Sequence, residues 1–301
     1  MEKNNLAPVA LFVFNRLDHT IKTVESLKSN ILASKTDLFI FSDGSRNSED
    51  EKEVSEVRKY IKEITGFKSI KIIRNKVNKG LANSIINGVT DVIKLNSKII
   101  VLEDDMVVSS IFLDFMNTAL EKYRLNGRVW HVSGWNYPLS IKTAENLFFW
   151  DTMNCWGWGT WEDRWEHFNK NPEKLLNNWN SEKIHSFDLN NSGVFWQQVE
   201  DNYSGKINTW AIFWYATIFE NKGLCLNPCN SLVQNIGLDG SGTNCGVNDS
   251  ELKLDQQSLN NFIFPEKPDK SEIATNEIIN YYKKRNSFYS KVRRKLKYLF
   301  D

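Results

Sequence analysis

Short apolar runs with no helical period alternate with amphipathic stretches through the first half of the chain. PVALFVF (8–14), DLFIF (37–41), SIKII (69–73) and KIIVL (98–102) are rich in β-branched and aromatic residues and read as buried parallel strands. Between them, Thr20 to Asn30, Glu49 to Thr65 and Leu81 to Lys94 are each long enough for a crossover helix. This alternation predicts an α/β fold whose parallel strands are joined by right-handed crossovers, with helices on both faces of the sheet. The second half changes character: aromatic residues crowd from Trp130 to Trp214, in NLFFWDTMNCWGWGTWEDRWEHF (146–168), GVFWQQ (193–198) and TWAIFWYATIF (209–219). Helices are predicted over about Trp161 to Asn169 and Thr209 to Asn221. A short strand pair should follow, then the Gly-rich loop IGLDGSGTNCG (236–246), which reads as an active-site lid or a plain surface loop.

Composition narrows the class. With 41% hydrophobic and 25% charged residues the chain is ordinary for a soluble globular protein, and no apolar run reaches membrane-span length. The N-terminal MEKNNLAPVALFVF lacks a basic region ahead of its apolar run, so a cytoplasmic protein is expected. Cys155, Cys225, Cys229 and Cys245 show no Cys-x-x-Cys spacing and read as reduced structural thiols, ahead of zinc or a disulfide. His19, His131, His167 and His185 are too scattered for a histidine-rich metal centre.

Charge is distributed unevenly. Residues 281–301 hold eight Lys or Arg against one acid, Asp301, so a formal net charge of +1 leaves the remaining body acidic. In that tail Phe288, Val292, Leu296 and Leu299 recur at helical spacing among Lys291, Arg293, Arg294, Lys295 and Lys297. Such a basic amphipathic helix suits an anionic membrane surface, the alternative being a terminal helix packed on its own domain. Nucleic acid is not an expected partner, because the basic residues are confined to the tail.

The candidate chemistry centres on VLEDDMVV (101–108), where a buried strand ends abruptly in Glu103, Asp104 and Asp105. A core would not accept three unpaired acids, and hard divalent ions such as Mg²⁺ or Mn²⁺ take carboxylate oxygens while phosphates complete their shell. In open α/β sheets ligands sit at the carboxyl ends of the strands, where this cluster falls. Asn15 and Arg16 follow the first strand, Asp43 the second, and Asn78, Lys79 and Gly80 the third. Arg16 and Lys79 suit phosphate or base edges, and Asp43 can accept from a nucleobase N–H or a ribose hydroxyl.

The run from VALFVFNRLDHTIKTVESL through FSDG to VLEDDMVVSSIFLDFMNTAL and VWHVSGWN resembles the nucleotide-sugar-binding half of glycosyltransferases with the GT-A fold. It is most similar to the N-acetylglucosaminyltransferase I type, and the likeness returns at LNPCNSLVQNIGLDGSG. The resemblance implies that Arg16 and Asp43 hold the nucleoside, that Asp104, with Glu103 beside it, contacts ribose or donor sugar, and that Asp105 ligates the metal. Ser241 would reach the diphosphate from the lid. CWGWGTWEDRW (155–165) is similar to the W-G-W-G run followed by acids in β-1,4-galactosyltransferases, where an acid past the glycines is the base. On that likeness Asp163 or Glu162 is the catalytic base, while Trp156 and Trp158 either stack on sugar or pack the core. The W-D-D-W base segment of the nearest family is represented here by Trp210, Ala211, Ile212, Phe213 and Trp214, without an acid. Either the base has moved or the reaction retains configuration and needs none.

The expectation is therefore a GT-A fold with a mostly parallel sheet and a basic helical tail. Residues 1–137 would be the nucleotide-sugar-binding half, 138–250 the acceptor-binding half with the lid, and 251–301 the C-terminal extension. The activity expected is Mn²⁺- or Mg²⁺-dependent hexosyl or N-acetylhexosaminyl transfer from a nucleotide-diphosphate sugar, a UDP-sugar foremost. The acceptor would be a glycan, lipid-linked or a surface-polysaccharide precursor, met at the cytoplasmic face of the membrane. A sugar-phosphate nucleotidyltransferase is the alternative enzyme, although FNRLDH lacks the glycine-rich phosphate loop such enzymes carry after the first strand. A non-catalytic carbohydrate-binding protein would have no need of Glu103 to Asp105.

Overall fold

The computed structural model describes residues 6–239, 254 and 259–286. The four predicted strands form β1 (Val9–Val13), β2 (Asp37–Ser42), β3 (Ser69–Arg74) and β4 (Lys98–Glu103). Three helices join them: α1 (Leu17–Lys28), α2 (Ser48–Tyr60) and α3 (Leu81–Asn96). The side chain of Asn47 starts α2 by accepting the N–H groups of Glu49 and Asp50, two donors the first helical turn leaves over. The chain continues through β5 (Met106–Val108), α4 (Phe112–Lys122), β6 (Val129–Ser133), β7 (Leu147–Trp150), β8 (Trp158–Trp161) and α5 (Glu162–Trp165). After α6 (Pro172–Asn178), α7 (Ser181–Phe187), α8 (Trp196–Tyr203) and α9 (Ala211–Glu220) come β9 (Leu224–Pro228), β10 (Val233–Asn235) and α10 (Glu272–Asn286).

Eight strands make one sheet in the order β3-β2-β1-β4-β8-β6-β9-β7, and β10 pairs with β5 in a two-stranded ribbon. Parallel pairing links β3, β2, β1 and β4, and also β6 with β9. Only β8 and β7 run against the rest. The result is an α/β fold built on a mostly parallel central sheet flanked by helices. The crossover from β3 to β4 runs opposite to those from β1 to β3, so right-handed connections put α3 on the other face from α1 and α2. Accordingly α3 packs on β1, β2 and β4, while α1 packs on α2 and β5. The order reverses between β1 and β4, which opens a crevice at their carboxyl ends.

Two expectations in the second half change. The strand pair after α9 does not form: β9 enters the main sheet between β6 and β7, and β10 crosses to β5. Both faces of a strand as apolar as LCLNP are buried there, which a two-stranded hairpin cannot provide. The helix expected from Trp161 shrinks to α5, because Trp161 is itself the last residue of β8, paired with Lys98. One continuous core results, into which Trp150, Trp158, Trp161 and Trp214 are fully buried.

Candidate active site

Strand register decides which residues meet at the crevice. Phe12 of β1 lies beside Glu103 of β4, so the chain leaving β1 at Phe14 to Arg16 emerges next to the acidic triplet. Antiparallel β8 pairs Trp158 with Val101 and Trp161 with Lys98. Trp156, two residues before β8 begins, therefore enters at the Glu103 edge, and Glu162, one residue after it ends, lies at the opposite edge.

Arg16 binds both aspartates of the triplet: its Nη2 donates to Asp104 Oδ1 and, at 2.7 Å, to Asp105 Oδ2. Asp104 and Asp105 are each about 5% exposed. Burial alone would lower the Arg16 pKa, but attraction from Asp104 and then Asp105 outweighs it and leaves the guanidinium firmly charged. Burial, then repulsion from Asp105 and Asp104, raises the Glu103 carboxyl to about 8. The same burial raises Asp104, against the pull of Arg16. A single guanidinium thus offsets three crowded acids incompletely. Asp105 Oδ1 and Arg16 Nη1 are buried with no hydrogen-bond partner among the described residues, an acceptor and a donor left beside one another.

The segment after β10 crosses directly over this pair. Ile236 N–H donates to Asp105 O at 2.9 Å, Gly237 N–H to Asn235 Oδ1 at 2.7 Å, and His19 Nε2 lies 3.2 Å from Asp239. A Cβ on Gly237 would overlap Asp105 Oδ2 and come within 2.8 Å of Arg16 Nη1, so a larger residue would have to displace that ion pair or the segment itself. Gly237 belongs to the Gly-rich loop noted in the sequence, but its contact with Arg16 and Asp105 could not be read there. Ser241 and the rest of that loop lie outside the described residues.

The geometry places several of the expected site residues away from the crevice. Glu162 and Asp163 sit at the amino edge of the parallel sheet, with Glu162 N–H bonded to Ser97 O and the exposed Asp163 paired with the buried Arg164. A strand's length separates them from the crevice, so neither is placed to serve as base there. Trp158 is fully buried, stacked on His131 (5.4 Å, 15°) and Trp210 (5.1 Å, 23°), and packs the core. Trp156 remains partly exposed at the crevice, edge-to-face with Trp135 at 4.7 Å.

Both carboxylate oxygens of Asp43, expected to hold the nucleoside, are engaged within the chain. They accept the N–H groups of Gly44, Lys79 and Gly80 and the amide of Asn75, at 2.9–3.1 Å. Asp43 thereby fastens the loops after β2 and β3. Arg58 braces the same corner by donating to the carbonyls of Asp43 and Asn75 at 3.0 and 2.7 Å. Lys79 is exposed on this rim, and Asn15 turns away to Asp50 and Glu53.

Sequence reasoning missed the pocket on the other side of the crevice. Gly134 N–H bonds to Gly157 O and Asn136 Nδ2 to Cys229 O, tying the ends of β6 and β9 to the entry of β8. Against this edge Trp135, Tyr137 and Trp156 face Phe195, Tyr215, Tyr281 and Tyr282, with Leu238 from the covering segment. Tyr137 and Tyr282 share a hydrogen bond between hydroxyls at 2.8 Å, so α10 closes the wall. The only advance signal was the aromatic crowding, which does not distinguish wall from core. Among the described residues no group of three His, Cys, Asp or Glu side chains would hold a metal unaided, and Cys225 and Cys229 are buried thiols.

No protein-family model and no curated protein matches the chain. Among solved structures it is similar to a mannosyltransferase from Pyrobaculum calidifontis in complex with GDP-Man and Mn²⁺, at 8% identity and TM-score 0.41, over 73% of this chain and 70% of that one. It is also similar to the glycosyltransferase GlyE of Streptococcus pneumoniae (12%, TM-score 0.37, 73% of this chain and 45% of that one). A UDP-glucose pyrophosphorylase complexed with UDP-glucose matches at 12% and TM-score 0.36, over 74% of this chain and 90% of that one. Likeness of this degree favours neither activity.

Proposed function

We propose that the protein is a divalent-metal-dependent glycosyltransferase of GT-A fold that takes a sugar from a nucleotide-diphosphate donor, a UDP-sugar foremost. The observation that carries this reading is the Arg16–Asp104–Asp105 cluster at the crevice where strand order reverses, with an acceptor and a donor atom left over. The residues fit a hard cation. Asp105 would hold it through Oδ1, and with so few protein ligands the shell would be completed by diphosphate oxygens. Bound there, the ion would neutralise charge gathering on the nucleoside diphosphate as it leaves.

The chain's own contribution is electrostatic and positional. Arg16 Nη1, buried and without a hydrogen-bond partner among the described residues, would donate to a diphosphate oxygen once the covering segment admits one, and Asp104 pins the guanidinium. Asp43 and Arg58 hold the rim loop that carries Lys79, and Gly237 lets the covering segment exclude water above the ion pair. Glu103 and Asp104 are proposed to contact ribose or the donor sugar, a reading that rests on the family resemblance. The absence of a strained glycine-rich loop after β1, where Arg16 instead turns onto the acids, favours transfer over nucleotidyl exchange.

The acceptor is proposed to be a glycan, lipid-linked or a surface-polysaccharide precursor. The membrane contact proposed for the basic stretch rests on sequence, since Phe288, Val292, Leu296 and Leu299 lie outside the described residues. No helix among the described residues is long and apolar enough to cross a membrane. The decisive experiment is thermal stabilisation by a panel of nucleotide sugars with Mn²⁺, Mg²⁺ or EDTA. A ligand at about 100 times its Kd adds about 2.7 kcal/mol to the native state. Stabilisation by one nucleotide sugar that vanishes with EDTA is expected, and equal behaviour across the panel with and without metal would overturn the reading.

A further inference from the structure

The aromatic pocket beside the triplet is a cavity of about 220 Å³, room for one sugar ring and not for an oligosaccharide. Among the described residues that line it there is no Asp, Glu, Lys, Arg or His. A uronate, sialate or phosphate placed there would surrender its hydration without a counter-charge. Trp135 and Asn154 each line the cavity and are more than nine-tenths buried. The indole N–H of Trp135 and the amide nitrogen of Asn154 have no hydrogen-bond partner among the described residues. Asn154 is held by its backbone instead, whose carbonyl accepts from His131 Nε2 at 3.0 Å. A purely aliphatic occupant would leave both donors unsatisfied, whereas a ring bearing hydroxyl or carbonyl oxygens answers them. Trp156, braced edge-to-face by Trp135 and partly exposed, offers an aromatic face to the apolar side of such a ring.

We propose that this cavity binds one uncharged hexopyranose or N-acetylhexosaminopyranose ring, stacked on Trp156 and hydrogen-bonded by Trp135 and Asn154, and that this ring is the acceptor terminus. Its position follows from the register, since Trp156 enters at the Glu103 edge and Leu238 extends from the segment covering Asp105. Calling the ring an acceptor rests on the glycosyltransferase reading; its binding does not. Tyr281 and Tyr282 make α10 part of the specificity wall rather than a detached tail.

The test is saturation-transfer NMR and calorimetry on the full chain, with the methyl glycosides of glucose, galactose, mannose, N-acetylglucosamine and N-acetylgalactosamine. Methyl glucuronide, glucose 6-phosphate and geraniol serve as charged and aliphatic probes, and each titration is run both without nucleotide and with UDP and Mn²⁺. At least one neutral glycoside should bind, with the charged and aliphatic probes weaker by about tenfold or more. Trp156→Ala should lose about tenfold in affinity and Asn154→Leu about three- to tenfold, with unchanged melting temperature for the partly exposed Trp156. If Asn154→Leu fails to fold, Gln198→Ala, at a half-buried lining position, should still weaken binding. Absence of neutral-glycoside binding in both conditions, equal binding of the charged probes, or wild-type affinity in Trp156→Ala would overturn the inference. Sugar binding without nucleotide stabilisation would remove the transferase reading and leave the pocket standing; the reverse would remove the pocket alone.

Discussion

The Cα of Gly237 lies so close over Asp105 that a methyl group there would overlap Oδ2. The atoms it would meet are the side-chain ends of Asp105 and Arg16, which are bonded to one another, so the intrusion is relieved only by shifting that ion pair or the segment above it. Gly237→Ala should therefore displace the covering segment and lower kcat/KM by about tenfold or more, a loss of about 1.4 kcal/mol in transition-state binding. Melting temperature should change little, because the segment crosses the crevice rather than filling the core. A wild-type kcat/KM in this variant would show that the segment need not sit where it does.

Asp105→Asn keeps the shape and removes one charge from the ion's proposed ligand. Arg16 retains Asp104, so the fold should survive. Metal-dependent stabilisation by a nucleotide sugar should disappear and transfer should be abolished. Retention of either in the variant would exclude Asp105 as the metal ligand.

Glu162→Gln and Asp163→Asn provide the opposite expectation. Both positions are at the far edge of the sheet, where exposed Asp163 pairs with the buried Arg164, whose guanidinium is also held by the carbonyls of Arg124, Asn126 and Val129. Turnover should stay within about twofold of wild type, well short of the 10²-fold or greater loss expected of a general base. A loss of that size in either variant would mean that the edge assignment is wrong.

His131 supplies a pH dependence of stability. Trp214 Nε1 donates to its Nδ1 at 3.2 Å and its Nε2 faces Asn154 O at 3.0 Å, so the neutral ring uses both nitrogens and a second proton would confront the indole N–H. Burial depresses its pKa to about 3, from an ordinary value near 6.5. The unfolded chain takes up this proton first, so the contribution is complete above pH 6.5 and is lost as pH falls toward 3. At pH 5 the loss from this group is about 2 kcal/mol. Urea unfolding at pH 7.5 and pH 5 should show it, and His131→Phe, less stable at both, should show a smaller difference between them. An identical difference in the variant would assign the effect elsewhere.

Two truncations separate the tail from the pocket. Deleting 287–301 should leave melting temperature and neutral-sugar binding intact while releasing the protein from anionic liposomes, where each Lys or Arg contributes about 1 kcal/mol. Deleting from residue 281 also removes Tyr281 and Tyr282, and with them the bond to Tyr137, so stability and sugar binding should both fall. Equal liposome co-sedimentation of the full chain and the 287–301 deletion would argue against a membrane role.

What the sequence determined by itself is the part encoded by local pattern. The runs at 8–14, 37–41, 69–73 and 98–102 could be recognised as strands because a strand buried on both faces must be apolar throughout. Glu103 to Asp105 stood out because acids ending such a run have no apolar reason to be there. Register was not legible, and it decided the rest. Asp163 and Trp156 are seven residues apart in one motif, yet β8 carries them to opposite edges of the sheet. Trp156 and Trp158 look alike in sequence, but one meets the crevice and the other lies among His131, Trp210 and Trp214. Asp43 has the residue type of a ligand contact, and only the folded loops show its oxygens already spent on Gly44, Lys79 and Gly80. Contacts such as Gly237 on Asp105 join positions more than a hundred residues apart, and what selects them is the packing of distant elements, which no local pattern of side chains records.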